Sequence, residues 1–333
     1  MKEKKIREEL ELKDSYEREI DYMRISITDR CNLRCTYCMP EGIDWIPMEE
    51  ILTFEEIQTV CEEAAKLGIR NIKLTGGEPL VRKGCADLVK MIKSVPQIAK
   101  VTLTTNGVEL SKYVEELKRA KIDGINVSLD TLDRECFRKI TGFDRMEDVL
   151  TGLEKAYDLG IPTKINTVLK PGLNAAAWKD MVEIAKEKAI AVRFIEMMPI
   201  GNGSGIASIS NEEIRGNLER LYGTLEPDLN RHGNGPAVYY KIPGFCGSVG
   251  FISAIHGKFC GNCNRIRMTA AGEIKPCLCY SECLSVKEAL RANGERTTVR
   301  KILEQAILRK PKAHCFEEEQ GITERKKMAQ IGG

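Results

Sequence analysis

The chain has 333 residues, 42% hydrophobic and 30% charged, long enough to bury a large core as one big domain or two. Its 51 basic and 49 acidic side chains leave a formal net charge of +2, which gives no global field for a nucleic acid but leaves room for a local basic pocket that binds a small anion. No run of about 18 apolar residues occurs, and the start, MKEKKIREELELKD, is charged with no apolar signal region, so the expectation is a cytoplasmic protein that touches no membrane.

From residue 23 a strand–helix alternation repeats about every 25–35 residues. MRISIT predicts a strand over 23–28. LTFEEIQTVCEEAAKLG (52–68) predicts an amphipathic helix, with Thr53 and Glu56 at capping-box spacing and Gly68 at its end. IRNIKLT (69–75) predicts the second strand and CADLVKMIKSV the next helix. KVTLTTNG then leads into SKYVEELKRAK, where Ser111 is the expected cap. DGINVSLD precedes a helical region through MEDVLTGLEKAYDLG, IPTKINTVL precedes AAAWKDMVEIAKEKA, and VRFIEMM is the sixth strand. Such alternation predicts right-handed βαβ units and a parallel sheet. Six units suit either an open doubly wound sheet or an incomplete barrel, and in both ligands bind at the carboxyl ends of the strands.

The unusual residues fall at those ends. Cys31–Cys38 follow strand one, TGGEP (75–79) strand two, TTNG (104–107) strand three, SLD (128–130) strand four and MMP (197–199) strand six. After GNGSG (201–205) the alternation lapses; a helix, NEEIRGNLERLYG, gives way to sequence rich in glycine and proline, with a soft boundary near 225–235. The final ERKKMAQIGG reads by composition as a mobile tail.

Thirteen cysteines in a reducing compartment predict metal ligation where they cluster, not a disulfide framework. Cys61, Cys85 and Cys136 are dispersed and read as small buried hydrophobes or bystanders. TDRCNLRCTYCMPEG places Cys31, Cys35 and Cys38 together and supplies no fourth. Four thiolates close an iron–sulfur site; three leave one iron open to a ligand, as the open position of catalytic zinc does. A zinc site completed by a distant side chain is the alternative. The second cluster, KFCGNCNRIRMTAAGEIKPCLC (258–279), holds Cys260, Cys263 and Cys277, with Cys279 and Cys283 beyond. A zinc ribbon on Cys260, Cys263, Cys277 and Cys279 fits this segment as well as an open cluster does. Arg265 and Arg267 lie two apart and share one face of an extended segment, an arrangement suited to phosphate.

The Cys31-x3-Cys35-x2-Cys38 spacing, with Tyr37 before the last cysteine, resembles the radical S-adenosylmethionine (SAM) signature. Together with TGGEP, Cys260-x2-Cys263-x13-Cys277, Arg265-x-Arg267 and the terminal Gly-Gly, nearly the whole chain from about Asp21 to Gly333 resembles the GTP 3′,8-cyclase family of molybdenum cofactor biosynthesis. The resemblance implies an α/β fold: a partial (β/α)6 TIM-like barrel over 21–228, preceded by an N-terminal extension (1–20) and followed by an auxiliary cluster domain (229–322) and a tail (323–333). It implies two [4Fe–4S] clusters, one on each cysteine triplet, and SAM held near Tyr37, Gly77, Ser128 and Met198. GTP is then met by Arg24, Lys73, Thr104, Lys164, Arg265, Ile266 and Arg267. Arg24, Arg265, Arg267 and the tail residues Gly332 and Gly333 are implied to assist catalysis. Lys73 stands where the family commonly carries arginine, keeping the charge but losing the fork. The implied partners are an electron donor such as flavodoxin or ferredoxin and the next enzyme, cyclic pyranopterin monophosphate synthase, with the protein a monomer or homodimer. A radical SAM peptide-maturation enzyme, whose extra cysteines close the auxiliary cluster, is a second reading, and a non-catalytic zinc protein binding nucleic acid is a third.

Overall fold

The computed structural model describes residues 12–39, 44–230, 232–292 and 295–332. Strands β1 (Tyr22–Ser26), β2 (Asn71–Thr75), β3 (Lys100–Thr105), β4 (Gly124–Ser128), β5 (Thr163–Val168) and β6 (Ala191–Ile195) are the six that the alternation predicts. They pair in parallel and in chain order. Between them run helices α1 (Phe54–Lys66), α2 (Cys85–Lys93), α3 (Leu110–Arg119), α4 (Arg134–Thr141), α5 (Met146–Asp158) and α6 (Trp178–Glu187). Cys61 and Cys85 are buried in the core.

Local chemistry sets the helix starts. Thr53 caps α1 with a reciprocal box: its hydroxyl accepts from the Glu56 amide at 3.2 Å, and its own amide donates to the Glu56 carboxylate at 2.7 Å. Ser111 does not cap α3. The helix begins at Leu110, so Ser111 lies inside the first turn. The turn before it is held by Thr105 and Asn106, whose side-chain oxygens accept from the amides of Gly107 and Val108, both at 3.0 Å.

Each strand sends alternate side chains to opposite faces. Met23, Ile25, Leu74, Val101, Ile125 and Phe194 are fully buried in the hydrophobic core. The opposite face carries Arg24, Lys73, Thr104, Asn126, Lys164 and Arg193, one from each strand in turn. All six line a single cavity of about 1090 Å³. A flat sheet could not bring side chains from strands so far apart to one cavity, so the sheet curves as a partial barrel does.

The C-terminal third extends this sheet at both edges. After α7 (Asn211–Tyr222) come β7 (Glu226–Pro227), β8 (Val238–Lys241), β9 (Ser248–Ile252), β10 (Arg265–Met268), β11 (Glu273–Lys275) and β12 (Leu284–Ser285). β9 lies parallel to β6 and β10 parallel to β1, so eight parallel strands run through the middle of a 12-stranded sheet whose outer strands are antiparallel. Helices α8 (Lys287–Ala292) and α9 (Arg296–Leu308) follow, and α10 (Met328–Ile331) ends the chain's regular structure.

The described residues nearest each end of the chain pack onto this frame. The tail is not free over its described part: Lys275 and Glu324 form an ion pair at 2.5 Å with both side chains almost fully buried. Ile331 is buried among Ile200, Leu278 and Phe316. At the other end Arg18 pairs with Asp14 at 2.6 Å and donates to the carbonyls of Cys260, Pro311 and Lys312, so residues 12–20 of the extension bind the auxiliary segment. Gly333 and residues 1–11 lie outside the described residues. Among the described residues no helix is long and apolar enough to cross a membrane.

Candidate active site

The two cysteine triplets lie at opposite ends of the cavity. β1 starts at Tyr22, whose amide donates to the carbonyl of Asn264, next to Cys263. β1 ends at Ser26, five residues before Cys31, so the strand alone separates the triplets by roughly 15 Å. All six cysteines, Cys31, Cys35, Cys38, Cys260, Cys263 and Cys277, line the cavity.

At the carboxyl end, β2 runs into Gly76-Gly77. A methyl group on Gly77 would sit 2.3 Å from the carbonyl oxygen of Arg30, and one on Gly76 2.5 Å from that of Thr28. The Gly77 amide donates to Thr28 and the Glu78 amide to Arg30, both at 2.7 Å. The glycines therefore dock the cysteine loop main chain to main chain, a role the sequence reading, which gave them to the ligand, did not contain. Glu78 is buried and accepts from Thr105 Oγ1 (2.7 Å) and the amides of Asn106 (2.6 Å) and Leu80 (3.0 Å); burial lifts its carboxyl to about 7. Tyr37 donates to Asp130 at 2.6 Å, and burial raises that carboxyl to about 6. Tyr37, Gly77, Ser128 and Met198 all line this end.

The middle of the cavity is cationic. Strand register sets Arg267, Arg24 and Lys73 side by side across β10, β1 and β2, with Arg265 opposite Tyr22 one step along. Asn166 on β5 pairs with Arg193 on β6. Burial pushes Lys73 well below its ordinary value, with Arg193, Arg24 and Lys164 adding repulsion. Burial, then Arg193 and Lys100, brings Lys164 down to about 8. Burial and the Arg24 and Arg265 charges likewise lower Arg267. Buried cations that depress one another are at lower energy when an anion lies among them. Arg193 was not foreseen; a lone arginine in the buried strand AVRFI was its signal.

Ile266 does not line the cavity. It sits between Arg265 and Arg267, so its side chain takes the opposite face and is fully buried in the core. Gly332 is not among the lining residues; its carbonyl accepts from Arg267 Nη1 at 2.7 Å. Cys279 is not among the cavity-lining residues; it is buried, with its sulfur 3.3 Å from that of Cys315. Among the described residues no three or more His, Cys, Asp or Glu side chains are arranged to hold a single metal ion.

Residues 25–185 match the model of the Radical SAM superfamily, and residues 190–316 that of Molybdenum Cofactor Synthesis C. The chain is 43% identical over 325 residues to GTP 3′,8-cyclase of Desulforamulus reducens, covering 96% of this chain and 99% of that one. The chain belongs to the GTP 3′,8-cyclase family. It is also 42% identical over 326 residues to GTP 3′,8-cyclase of Moorella thermoacetica, covering 97% and 100%. SuiB of Streptococcus suis bound to S-adenosylmethionine superposes with a TM-score of 0.64 at 15% identity over 98% of this chain and 80% of that one, a likeness of fold alone. The family relationship, at far higher identity, does not favour the peptide-maturation reading.

The cofactors of GTP 3′,8-cyclases, two [4Fe–4S] clusters and SAM, fit what the cysteine loops present. Burial raises the Cys31 thiol to about 11 and Cys38 to about 12; burial lifts Cys35 as well, with Cys38 and Cys31 adding to it, and Cys31 adds to the rise of Cys38. Left alone they stay protonated, whereas iron reverses that preference. N–H groups already face the sulfurs: Leu33 and Asn106 donate to Cys31 at 3.4 and 3.6 Å, and the His314 amide to Cys260 at 3.4 Å. Burial opposes ionisation of Cys263 as well, yet the charges of Lys310 and Arg265 bring it below its ordinary value. Such donors are what cluster sulfurs require.

Proposed function

We propose that the chain converts GTP to 3′,8-cyclo-7,8-dihydro-GTP, the first step of molybdenum cofactor biosynthesis. Cys31, Cys35 and Cys38 would hold the SAM-binding cluster, and Cys260, Cys263 and Cys277 the auxiliary cluster on the substrate side of the cavity. Bound there, the first cluster would supply the one-electron reduction of SAM that starts hydrogen abstraction from the GTP ribose. The observation that carries this reading is the cationic row Arg267–Arg24–Lys73 between two open triplets.

The chain's own share is binding and orientation. Arg24, Lys73, Lys164, Arg193, Arg265 and Arg267 neutralise the triphosphate, and Thr104 hydrogen-bonds GTP from β3. Tyr37, Gly77, Ser128 and Met198 border SAM at the other end. Arg267 holds the Gly332 carbonyl, which ties Gly332 to the cationic row, and the Gly332–Gly333 tail assists catalysis by helping to order the substrate. A flavodoxin or ferredoxin supplies electrons, and the product passes to cyclic pyranopterin monophosphate synthase. The protein works in the cytoplasm as a monomer or homodimer.

The test is anaerobic. Reduced, reconstituted protein given SAM and GTP should form 5′-deoxyadenosine and a cyclised nucleotide in step. Absence of any cyclised nucleotide, with 5′-deoxyadenosine formed equally without GTP, would overturn the reading.

A further inference from the structure

Lys310 is buried, about 4% exposed, between α9 and the cysteine-bearing segments. An ammonium has three N–H donors, and all three are engaged. Lys310 Nζ donates to Cys263 Sγ at 3.6 Å, to the Arg265 carbonyl at 2.8 Å and to the Pro276 carbonyl at 3.0 Å. Two of these acceptors flank one arm of the auxiliary triplet, at Cys263; the third immediately precedes Cys277 on the other arm. The loop that carries Cys263 and the strand end that carries Cys277 are thus joined by one cation. Its partners are a sulfur and two carbonyls, not a carboxylate.

A buried ammonium without a carboxylate is costly unless negative charge accumulates beside it. Three thiolates around an oxidised cubane leave one net negative charge, and one-electron reduction adds another. Among the described residues no lysine hydrogen-bonds a sulfur of the triplet at the opposite end: Cys31 takes its N–H bonds from the neutral amides of Leu33 and Asn106, and the Arg34 charge acts on it without a hydrogen bond to the sulfur. The two centres therefore differ in whether a cation is hydrogen-bonded to a ligand sulfur.

We infer that Lys310 is a positioning residue of the auxiliary centre, tying its two ligand arms together and stabilising the reduced, more negative state of its cluster. The effect is electrostatic, from a compact charge hydrogen-bonded to a ligand sulfur, a recognised lever on cluster potential. This rests on the reading that Cys260, Cys263 and Cys277 carry a cluster. It concerns how this centre is tuned, and no step of the reaction is routed through the lysine.

The test compares Lys310→Met, which keeps most of the volume and loses the charge, with Lys310→Arg, which keeps the charge. Full-length protein is reconstituted anaerobically and both clusters are titrated by electron paramagnetic resonance, the SAM-binding cluster serving as the internal reference. Lys310→Met should make the auxiliary cluster harder to reduce, by about tenfold in the one-electron equilibrium or about 59 mV, and leave the other cluster unmoved. Lys310→Arg should stay near the wild-type potential. If Lys310→Met instead loses only the auxiliary iron while Lys310→Arg retains it, the tying role stands. An unchanged potential in Lys310→Met with both clusters present, or loss of the auxiliary cluster in both variants, overturns the inference. Wild-type protein with a single cluster would count against the functional reading itself.

Discussion

Arg267 and Gly332 are joined by a 2.7 Å hydrogen bond from a buried guanidinium to a main-chain carbonyl. Gly332 adopts φ of +75°, a conformation that glycine reaches without strain. A methyl group there would stand 3.1 Å from the Ser26 side chain. Because Arg267 also neighbours Arg24 in register, the tail reaches the cationic row directly. Removing Gly332 and Gly333 should lower the yield of cyclised nucleotide about ten- to a hundredfold, the range for loss of a hydrogen bond to a charged group. Both clusters and SAM binding should persist. Product analysis by chromatography decides; an undiminished yield would leave the tail no catalytic part.

Arg265 lies one register step from the Arg267–Arg24–Lys73 row and faces the Phe259 ring at 5.1 Å. Arg265→Ala should weaken GTP binding about ten- to a hundredfold, as loss of a charge-assisted contact does. The slow cleavage of SAM without substrate should be largely retained. Equilibrium dialysis under anaerobic conditions measures the first and 5′-deoxyadenosine formation the second. Unchanged GTP affinity would remove Arg265 from the site.

Gly77→Ala tests the docking of the first cysteine loop. The added methyl would meet the Arg30 and Asp29 carbonyls at 2.3 and 2.5 Å, and main chain cannot yield as a flexible side chain does. Overpacking of this kind costs about 1–3 kcal/mol. The variant should lose iron at the SAM-binding cluster and keep the auxiliary one, seen as a selective loss of iron and of one resonance signal.

The six βα units and the common end of their unusual residues were legible because alternation of period two and helical amphipathicity are local properties. The first triplet was legible from its spacing, whereas the second was not: spacing left a zinc ribbon with Cys279 equally open, and the family resemblance chose the triplet. β9 and β10 were not read as members of the barrel sheet. GSVGF is short and glycine-broken, and β10 reaches β1 across more than 200 residues of chain, a pairing no local pattern reports. The tail misled for a related reason: ERKKMAQIGG is polar by composition, yet a buried Lys275–Glu324 pair and Ile331 hold it. Lys310 and Arg18 were missed because a buried cation that serves carbonyls and sulfur leaves no partner motif in sequence.

Cys277 lines the cavity with Cys260 and Cys263, whereas the Cys279 sulfur lies 3.3 Å from that of Cys315. Cys277→Ser should therefore halve the iron and leave a single cluster that still reacts with SAM. Cys279→Ser should keep the full iron content. Iron analysis with spectroscopy separates the two, and full iron retention in Cys277→Ser would refute the assignment of the second cluster.

Lys164 gives the site a pH dependence whose sign follows from its surroundings. Burial, then the Arg193 and Lys100 charges, brings its ammonium down to about 8. A bound triphosphate favours the protonated form and moves that value back up. Between the two values binding takes up a proton, so affinity for GTP should fall as pH rises above about 8, by up to about tenfold per pH unit. Below that range the lysine is already charged, and its contribution is constant. Lys164→Met should bind GTP more weakly at pH 7 and show a shallower alkaline slope, because one titrating group is gone while Lys73 and Arg267, also lowered by burial, remain. Calorimetric titration with GTP across this range, under anaerobic conditions, reads both effects. A wild-type profile that stays flat through pH 9 would mean that Lys164 does not face the triphosphate.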